Sequence, residues 1–245
     1  MPPSEPTASV QPDAHEALKR AAGSAAAALV ESGMAVGLGT GSTARHVVDA
    51  LAERLADGTL HSVVAVATSE ATAAQARRLG IPLASLDERP RLDLAIDGAD
   101  EIGPGLALVK GGGGAHVREL LVARAAARFV VVADHRKLVG RLATRIPLPV
   151  AVLPFGWSTH VDALVRLGAE PVRRSAPDGR PFVTDDGLFV LDCAFAAGIG
   201  DAHALLAQLA GRPGIVASGL FLDMAERAFV AMPNGIASLD ASWRP

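Results

Sequence analysis

Asp97, Asp100, Lys110 and Glu119 fall within one stretch, DGADEIGPGLALVKGGGGAHVRE (97–119), and four glycines, Gly111 to Gly114, separate the lysine from the glutamate. These residue types are the inventory of a proton-transfer site. A carboxylate can remove a proton, an ammonium can hold the negative charge that develops, and a second carboxyl can move protons between oxygens. A glycine run directly after a lysine and just before a helix start lets the backbone approach a ligand closely; as a bare hairpin connection it would only add flexibility. The lysine is itself selective. Of 23 basic residues 20 are arginine, and lysine is kept only at Lys19, Lys110 and Lys137. A compact ammonium sits as a point charge against a phosphate or sugar oxygen, where a planar guanidinium needs a fork-shaped space.

A second motif, GLGTGST (37–43), follows a strand pattern and opens a helix, the context in which backbone N–H groups and a positive helix end hold a phosphate. Thr40, Gly41, Ser42 and Thr43 supply small donors suited to a single phosphate group. The plain alternative is a tight strand-to-helix turn closed by a Ser/Thr cap. It is not a dinucleotide fingerprint, because Ser42 stands where the third glycine of G-x-G-x-x-G would fall. A P-loop is excluded, since no lysine occupies a G-K-[ST] arrangement.

The elements that must position these groups follow from periodicity. A helix is predicted from a cap at Asp13 to about Ser32, followed by the strand MAVGLG and a helix from about Ala44 to Leu55. Then come the strand SVVAVAT, the helix EATAAQARRLG, the strand LDLAIDG, a short strand ALVK, the helix of Glu119 and the strand RFVVVAD. Short β-branched strands alternating with helices predict an α/β, Rossmann-like, mostly parallel sheet with helices on both faces. Asp97 then closes a strand and Glu119 opens a helix, on the sheet edge where open α/β folds bind ligands. After Pro147 the pattern changes to PLPVAVLP, HVDALVRLGA, the strands PVRRS, PFVT and LFVLDCAF, and DAHALLAQLAG. This fits a small ferredoxin-like α+β unit. GIVASGLF and RAFVAM are predicted to rejoin the first sheet. The organisation expected is a disordered 1–12, a catalytic domain of 13–146 and 218–245, and an inserted domain of 147–217.

Composition bounds the function. A chain of 245 residues, 50% hydrophobic and 20% charged, with net charge −3, can bury a full core and gives no electrostatic reason to expect nucleic acid. Its longest apolar runs are too short and too interrupted for a membrane span. The opening MPPSEPTASVQPD lacks a basic stretch followed by an apolar core, so no secretory signal is expected. Cys193 is the only cysteine, in an apolar strand pattern, which excludes a disulfide framework and reads as core filler. A cytoplasmic location is the default. The seven histidines show no metal-ligand spacing, and no metal or other cofactor is expected.

GLGTGSTA, TSEAT with RRLGIPL, DGADEI, KGGGGAHVRE, ADHRKLV, PLPV, TDDG with LD, and GLF with MAER occur in the order and approximate spacing of type A ribose-5-phosphate isomerase, which the chain resembles from about residue 13 to 236. The resemblance implies an aldose-ketose isomerase of the non-oxidative pentose phosphate pathway. It would interconvert D-ribose 5-phosphate and D-ribulose 5-phosphate through an enediolate, as a homodimer or dimer of dimers. By resemblance Glu119 is the base that moves a proton between two sugar carbons, and Asp97 the second acid/base group, linked to ring opening and hydroxyl proton transfer. Asp100 helps hold the sugar, and Lys110 stabilises the enediolate oxygens. Thr40 to Thr43 with Lys137 and Lys19 bind the phosphate, and Gly98, Ala99, Gly111, Gly112 and Gly113 complete the substrate site. His116 departs from the family's small or apolar residue there, and reads as a surface histidine at a helix start.

Two other classes are weighed. A non-catalytic sugar-phosphate-binding regulatory module would lack the acid/base pair, yet Asp97 and Glu119 are both present and no helix-turn-helix pattern precedes them. A nucleotide-dependent oxidoreductase would carry an acidic residue after SVVAVAT, where Thr68 and Ser69 stand instead.

Overall fold

The computed structural model describes residues 12–244. The expected disorder of the N-terminal tail lies outside them for residues 1–11. Along the chain run α1 (Pro12–Ala27), β1 (Ala35–Leu38), α2 (Ala44–Ala56), β2 (Val64–Ala67), α3 (Glu70–Arg78), β3 (Leu94–Gly98), β4 (Glu101–Ile102), β5 (Leu108–Val109), α4 (His116–Ala125) and β6 (Phe129–Asp134). There follow β7 (Leu148–Val152), α5 (Val161–Arg166), β8 (Glu170–Arg173), β9 (Phe189–Ala194), α6 (Ala202–Ala210), β10 (Ile215–Ser218), β11 (Leu220–Phe221), β12 (Arg227–Met232) and β13 (Gly235–Asp240).

The main sheet has the order β13-β12-β6-β3-β1-β2, parallel throughout except for the antiparallel edge pair β12/β13. Its inner strands β1, β3 and β6 are buried on both faces, while the edge strand β13 is largely exposed, and residue parity decides which side chain meets which layer. Val36, Leu38, Leu94, Ile96, Val130 and Val132 pack against Ala26 of α1, Val30 of the turn that follows it, Val47 and Leu51 of α2 and Ala76 of α3. Ala95, Val131 and Ala133 face the other way, onto Val122 and Ala123 of α4 and onto Ile102, Leu108 and Phe221 of a small three-stranded sheet, β11-β5-β4. The mostly parallel sheet covered on both faces is therefore present. By the same parity Asp97 projects toward the α4 side, the side that carries Glu119.

A separate antiparallel sheet, β10-β7-β9-β8, draws on residues 148–218, with Leu164 of α5 and Leu205 and Leu209 of α6 in its core. Its elements follow the expected β-α-β-β-α-β order, but PFVT forms no named strand. Pro181 makes only an isolated bridge to Ser175, in keeping with its missing N–H.

Three further expectations need correction. The first helix ends at Ala27, because Leu29 and Val30 turn back to the carbonyls of Ala26 and Ala27, three residues behind them, and Asp13 lies inside the helix rather than capping it. GIVASGLF does not rejoin the main sheet. Ile215–Ser218 pairs with β7 and Leu220–Phe221 with β5, the strand changing sheets at Gly219. The tail NGIASLD, given no element from sequence, forms β13, turned back onto β12 through Pro233 and Asn234.

Candidate active site

The groups at the centre arrive from three elements. Asp97 closes β3, Lys110 follows directly on β5, and Glu119 sits in the first turn of α4; all three are buried. Lys110 Nζ lies 3.0 Å from Asp97 Oδ2 and 3.3 Å from Glu119 Oε2, and donates to the Gly98 carbonyl at 2.5 Å. Asp97 Oδ1 accepts from the backbone N–H groups of Thr40 (2.9 Å) and Gly98 (2.7 Å), so both of its oxygens are engaged. Glu119 Oε2 makes no hydrogen bond. Its contact with Lys110 is an ion pair without hydrogen-bond geometry, which leaves that oxygen's lone pairs directed at no protein donor.

Burial and the Asp97 charge push the Glu119 carboxyl up to about 8, against the pull of Lys110. Burial also raises Asp97, while Lys110 and the two backbone donors hold it down. For Lys110 burial works against the charged form, but the Asp97 and Glu119 carboxylates outweigh it and carry the ammonium above its ordinary value. The ammonium is thus fixed as a cation between one carboxylate with both oxygens engaged and one poised to exchange a proton.

These groups stand behind a small pocket walled by Thr40 to Thr43, Gly98 to Asp100, Lys110 to Gly113, Glu119 and Lys137. Its volume of about 90 Å³ is well under the roughly 300–1,000 Å³ typical of drug-sized ligands, which suits a compact polar ligand and not a dinucleotide. A larger cleft of about 640 Å³ opens beside α3 and α4. None of the charged residues in its walls is buried, so the perturbed groups assign the chemistry to the smaller pocket. Of the residues expected at the site, Asp97 and Lys19 do not line it. Asp97 stands behind Lys110, and Lys19 lies on α1 with its ammonium 3.7 Å from Glu16.

The glycine motif resolves into separate jobs. A Cβ on Gly39 would overlap the Asp97 carboxylate, so the residue before Thr40 is kept small to admit Asp97. The Thr40 hydroxyl, read from sequence as a phosphate donor, is turned inward. It donates to Ser69 Oγ (2.8 Å) and lies 2.8 Å from Thr68 Oγ1 and 3.1 Å from Thr72 Oγ1. The Thr43 side chain makes no capping hydrogen bond, so the Ser/Thr-cap reading of the motif does not hold; the Arg45 and His46 N–H groups at the start of α2 are met instead by the Gly41 and Thr43 carbonyls. Lys137 closes a short 3₁₀ turn, His135–Lys137, at the end of β6.

Asp100 Oδ2 accepts from the Gly112 N–H at 2.8 Å, tying the acidic motif to the glycine loop. Glu101, the next acid in DGADEI, is structural. It is fully buried and accepts from the backbone N–H groups of Ala143, Arg145 and Ile146 at 2.5, 2.7 and 3.2 Å. His116 is not at the surface: it is fully buried, against Gly111, with burial, Arg174 and Lys110 driving its pKa down to about 3. Cys193 is buried, and burial pushes its thiol up to about 12, as suits core filler.

Thr68 and Ser69 enter the sequence reading only as a non-acidic pair after a strand; their clustering with Thr72 around the Thr40 hydroxyl is not part of it, although a serine before a helix is a capping signal and Ser69 does cap α3. Arg174 was also missed. It donates to the carbonyls of Gly111 (3.1 Å) and Gly112 (3.0 Å) across a sequence gap that no local pattern bridges.

Comparison with known proteins gives a consistent result. The family model for ribose 5-phosphate isomerase A (phosphoriboisomerase A) matches residues 64–235. A ribose-5-phosphate isomerase A of Roseiflexus castenholzii is 56% identical over 229 residues, 92% of this chain and 97% of its own. A D-ribose-5-phosphate isomerase solved in complex with phospho-erythronic acid is 35% identical with a TM-score of 0.89, over 92% of this chain and 98% of that one. The ribose 5-phosphate isomerase A of Methanocaldococcus jannaschii is 36% identical with a TM-score of 0.87, over 92% and 99%.

Proposed function

The chain belongs to the ribose 5-phosphate isomerase A family, and from that premise we propose that its buried Lys110 centre interconverts D-ribose 5-phosphate and D-ribulose 5-phosphate. The observation that carries the residue roles is the placement of the Lys110 ammonium 3.0 Å from Asp97 and 3.3 Å from Glu119 at the wall of a small pocket.

In the aldose-to-ketose direction Glu119 removes the proton on C2 of the open-chain sugar. The C–H electron pair becomes the C1–C2 double bond, and the carbonyl pair moves to O1. Lys110 holds that oxyanion in a site where water does not screen it. Glu119 then returns the proton to C1, and the O2 proton moves to O1 as the C2 carbonyl forms. The resemblance gives this hydroxyl transfer to Asp97. The oxygen suited to it is Oδ2, which Lys110 holds, since Oδ1 is occupied by two backbone donors. Asp100 orients the sugar, while Ser42, Thr43, the α2 amino end and Lys137 take the phosphate. The phosphate supplies binding energy remote from the reacting carbons and orients a small flexible substrate. In the same reading residues 147–217 form a unit inserted in the catalytic domain, and the protein is a cytoplasmic homodimer or dimer of dimers, whose mass light scattering would check.

The test is ketopentose formation from ribose 5-phosphate, followed by ultraviolet absorbance, for the wild type and Glu119→Gln. The substitution keeps shape and removes the base, so turnover should fall by on the order of 10² to 10⁴ or more while KM stays within about tenfold. A variant retaining half of the wild-type kcat would remove Glu119 from the mechanism.

A further inference from the structure

The Arg174 guanidinium reaches from the end of β8 to the glycine loop. Its Nε and Nη2 bind the two oxygens of Asp192 at 2.9 and 2.5 Å, a bidentate pair that fixes the plane of the fork. Its remaining terminal nitrogen, Nη1, donates to the carbonyls of both Gly111 and Gly112. The guanidinium also lies 5.5 Å from the Phe182 ring centre, and Phe182 packs so closely on Gly114 that a Cβ there would stand 2.5 Å from the ring. On its other side the loop rests on His116. A Cβ on Gly111 would lie 2.7 Å from His116 Nδ1, and Gly111 itself has φ +100°.

The geometry has a directional consequence. In a trans peptide the C=O and N–H vectors are antiparallel. Drawing the Gly111 and Gly112 carbonyls to one nitrogen therefore turns the N–H groups of Gly112 and Gly113 to the opposite side. The Gly112 N–H accordingly meets Asp100, a pocket residue, and the Gly113 N–H is presented on that same side. We propose that Arg174, locked by Asp192, is a positioning residue of the isomerase: it sets the Lys110–Gly113 loop so that the Gly112 N–H holds Asp100 in place, and Asp100, Lys110 and the Gly113 N–H face the reacting oxygens. The proposal rests on the reading of Lys110 as the oxyanion cation. It assigns residues of the second sheet a part in the reaction although they touch no substrate.

The experiment compares kcat, KM for ribose 5-phosphate and the inhibition constant of phospho-erythronic acid, whose carboxylate mimics the enediolate oxygens, in the wild type, Arg174→Ala, Arg174→Lys and Asp192→Asn. Because a displacement of about 1 Å costs around 10²-fold in rate, Arg174→Ala should lose about that much kcat with KM within about threefold, and inhibitor binding should weaken in parallel with kcat. Arg174→Lys should recover little, since an ammonium cannot bind Asp192 and two carbonyls in one plane. Guanidinium ion at tens of millimolar should restore part of the kcat of Arg174→Ala and none to the wild type. A wild-type kcat in Arg174→Ala, or a loss tracking thermal stability that guanidinium does not recover, overturns the proposal. If Arg174→Ala does not fold, Asp192→Asn decides: it should lower kcat at near-constant KM, and an unchanged kcat overturns the clamp. Failure here leaves Lys110→Ala inactive, whereas failure of the underlying reading shows as an active Lys110→Ala.

Discussion

Asp97 and Gly39 occupy adjoining strand ends, and the carboxylate of one fills the space where a side chain on the other would begin. Asp97 can then take the Thr40 N–H on one oxygen and Lys110 on the other. Gly39→Ala should force the carboxylate away and disturb Lys110. Overpacking of this kind costs about 1–3 kcal/mol, and the misplaced cation should lower kcat on the order of 10²-fold. Thermal melts beside kcat check it, and an alanine variant with wild-type values in both would show that the contact relaxes without consequence.

Glu119 sets the pH dependence. In the proposed role of base it must be ionised, so kcat/KM should rise with pH and level off above an apparent pKa near 8 in the free enzyme. Stability runs the other way. The folded pKa lies above the ordinary glutamate value of 4.5, so between those limits the folded state binds more protons, and stability falls as pH rises through that window. Glu119→Gln should therefore raise the melting temperature more at pH 9 than at pH 6. An equal shift at both pH values would mean that the carboxyl titrates normally.

Lys110→Arg should be nearly as damaging as Lys110→Ala, although it keeps the charge. The ammonium fits between two carboxylates and the Gly98 carbonyl in a tightly packed part of the pocket wall, and a guanidinium is larger and planar. Lys19→Arg, on α1 and outside the pocket wall, should keep substantial activity. Steady-state constants for the three variants decide, and a nearly wild-type Lys110→Arg would reduce Lys110 to diffuse positive charge.

Ribose without its phosphate should be turned over at least about 10³-fold less efficiently in kcat/KM, because charge-assisted contacts supply the binding energy that positions the sugar. Ser42→Ala and Lys137→Ala should raise KM for ribose 5-phosphate more than they lower kcat. The inward-turned Thr40 hydroxyl makes a further distinction: Thr40→Val should act through Asp97 and Lys110 and lower kcat. Comparable efficiency on free ribose would leave the TGST loop as a structural turn.

Much of the site was legible because it is written in contiguous motifs. The strand ending in Asp97, the lysine and the helix-opening Glu119 carry local signals of periodicity and glycine placement, and strand parity brings them to one face. Side-chain direction was not legible. Nothing local distinguishes a Thr40 hydroxyl facing a phosphate from one satisfied by Thr68, Ser69 and Thr72, nor a surface His116 from one buried against Gly111. Arg174 was out of reach for a related reason, since its link to Gly112 spans 62 residues and depends on how two sheets are set side by side. GIVASGLF reads as continuous strand, and its change of sheet at Gly219 is made by partners supplied from elsewhere in the chain.

That change of sheet bears on whether the protein can be divided. The Gly219 N–H donates to the Pro149 carbonyl of the four-stranded sheet at 2.7 Å, and its own carbonyl accepts from the Lys110 N–H at 2.9 Å. Lys110 thus hangs from a residue whose other bond belongs to the neighbouring sheet. The main sheet by itself does not fix Lys110. Cutting away residues 148–218 would remove the Pro149 anchor, Arg174 and Asp192 together, so the smallest unit able to hold Lys110 in register includes both sheets, and insertions or exchanges of parts are confined to surfaces away from their junction.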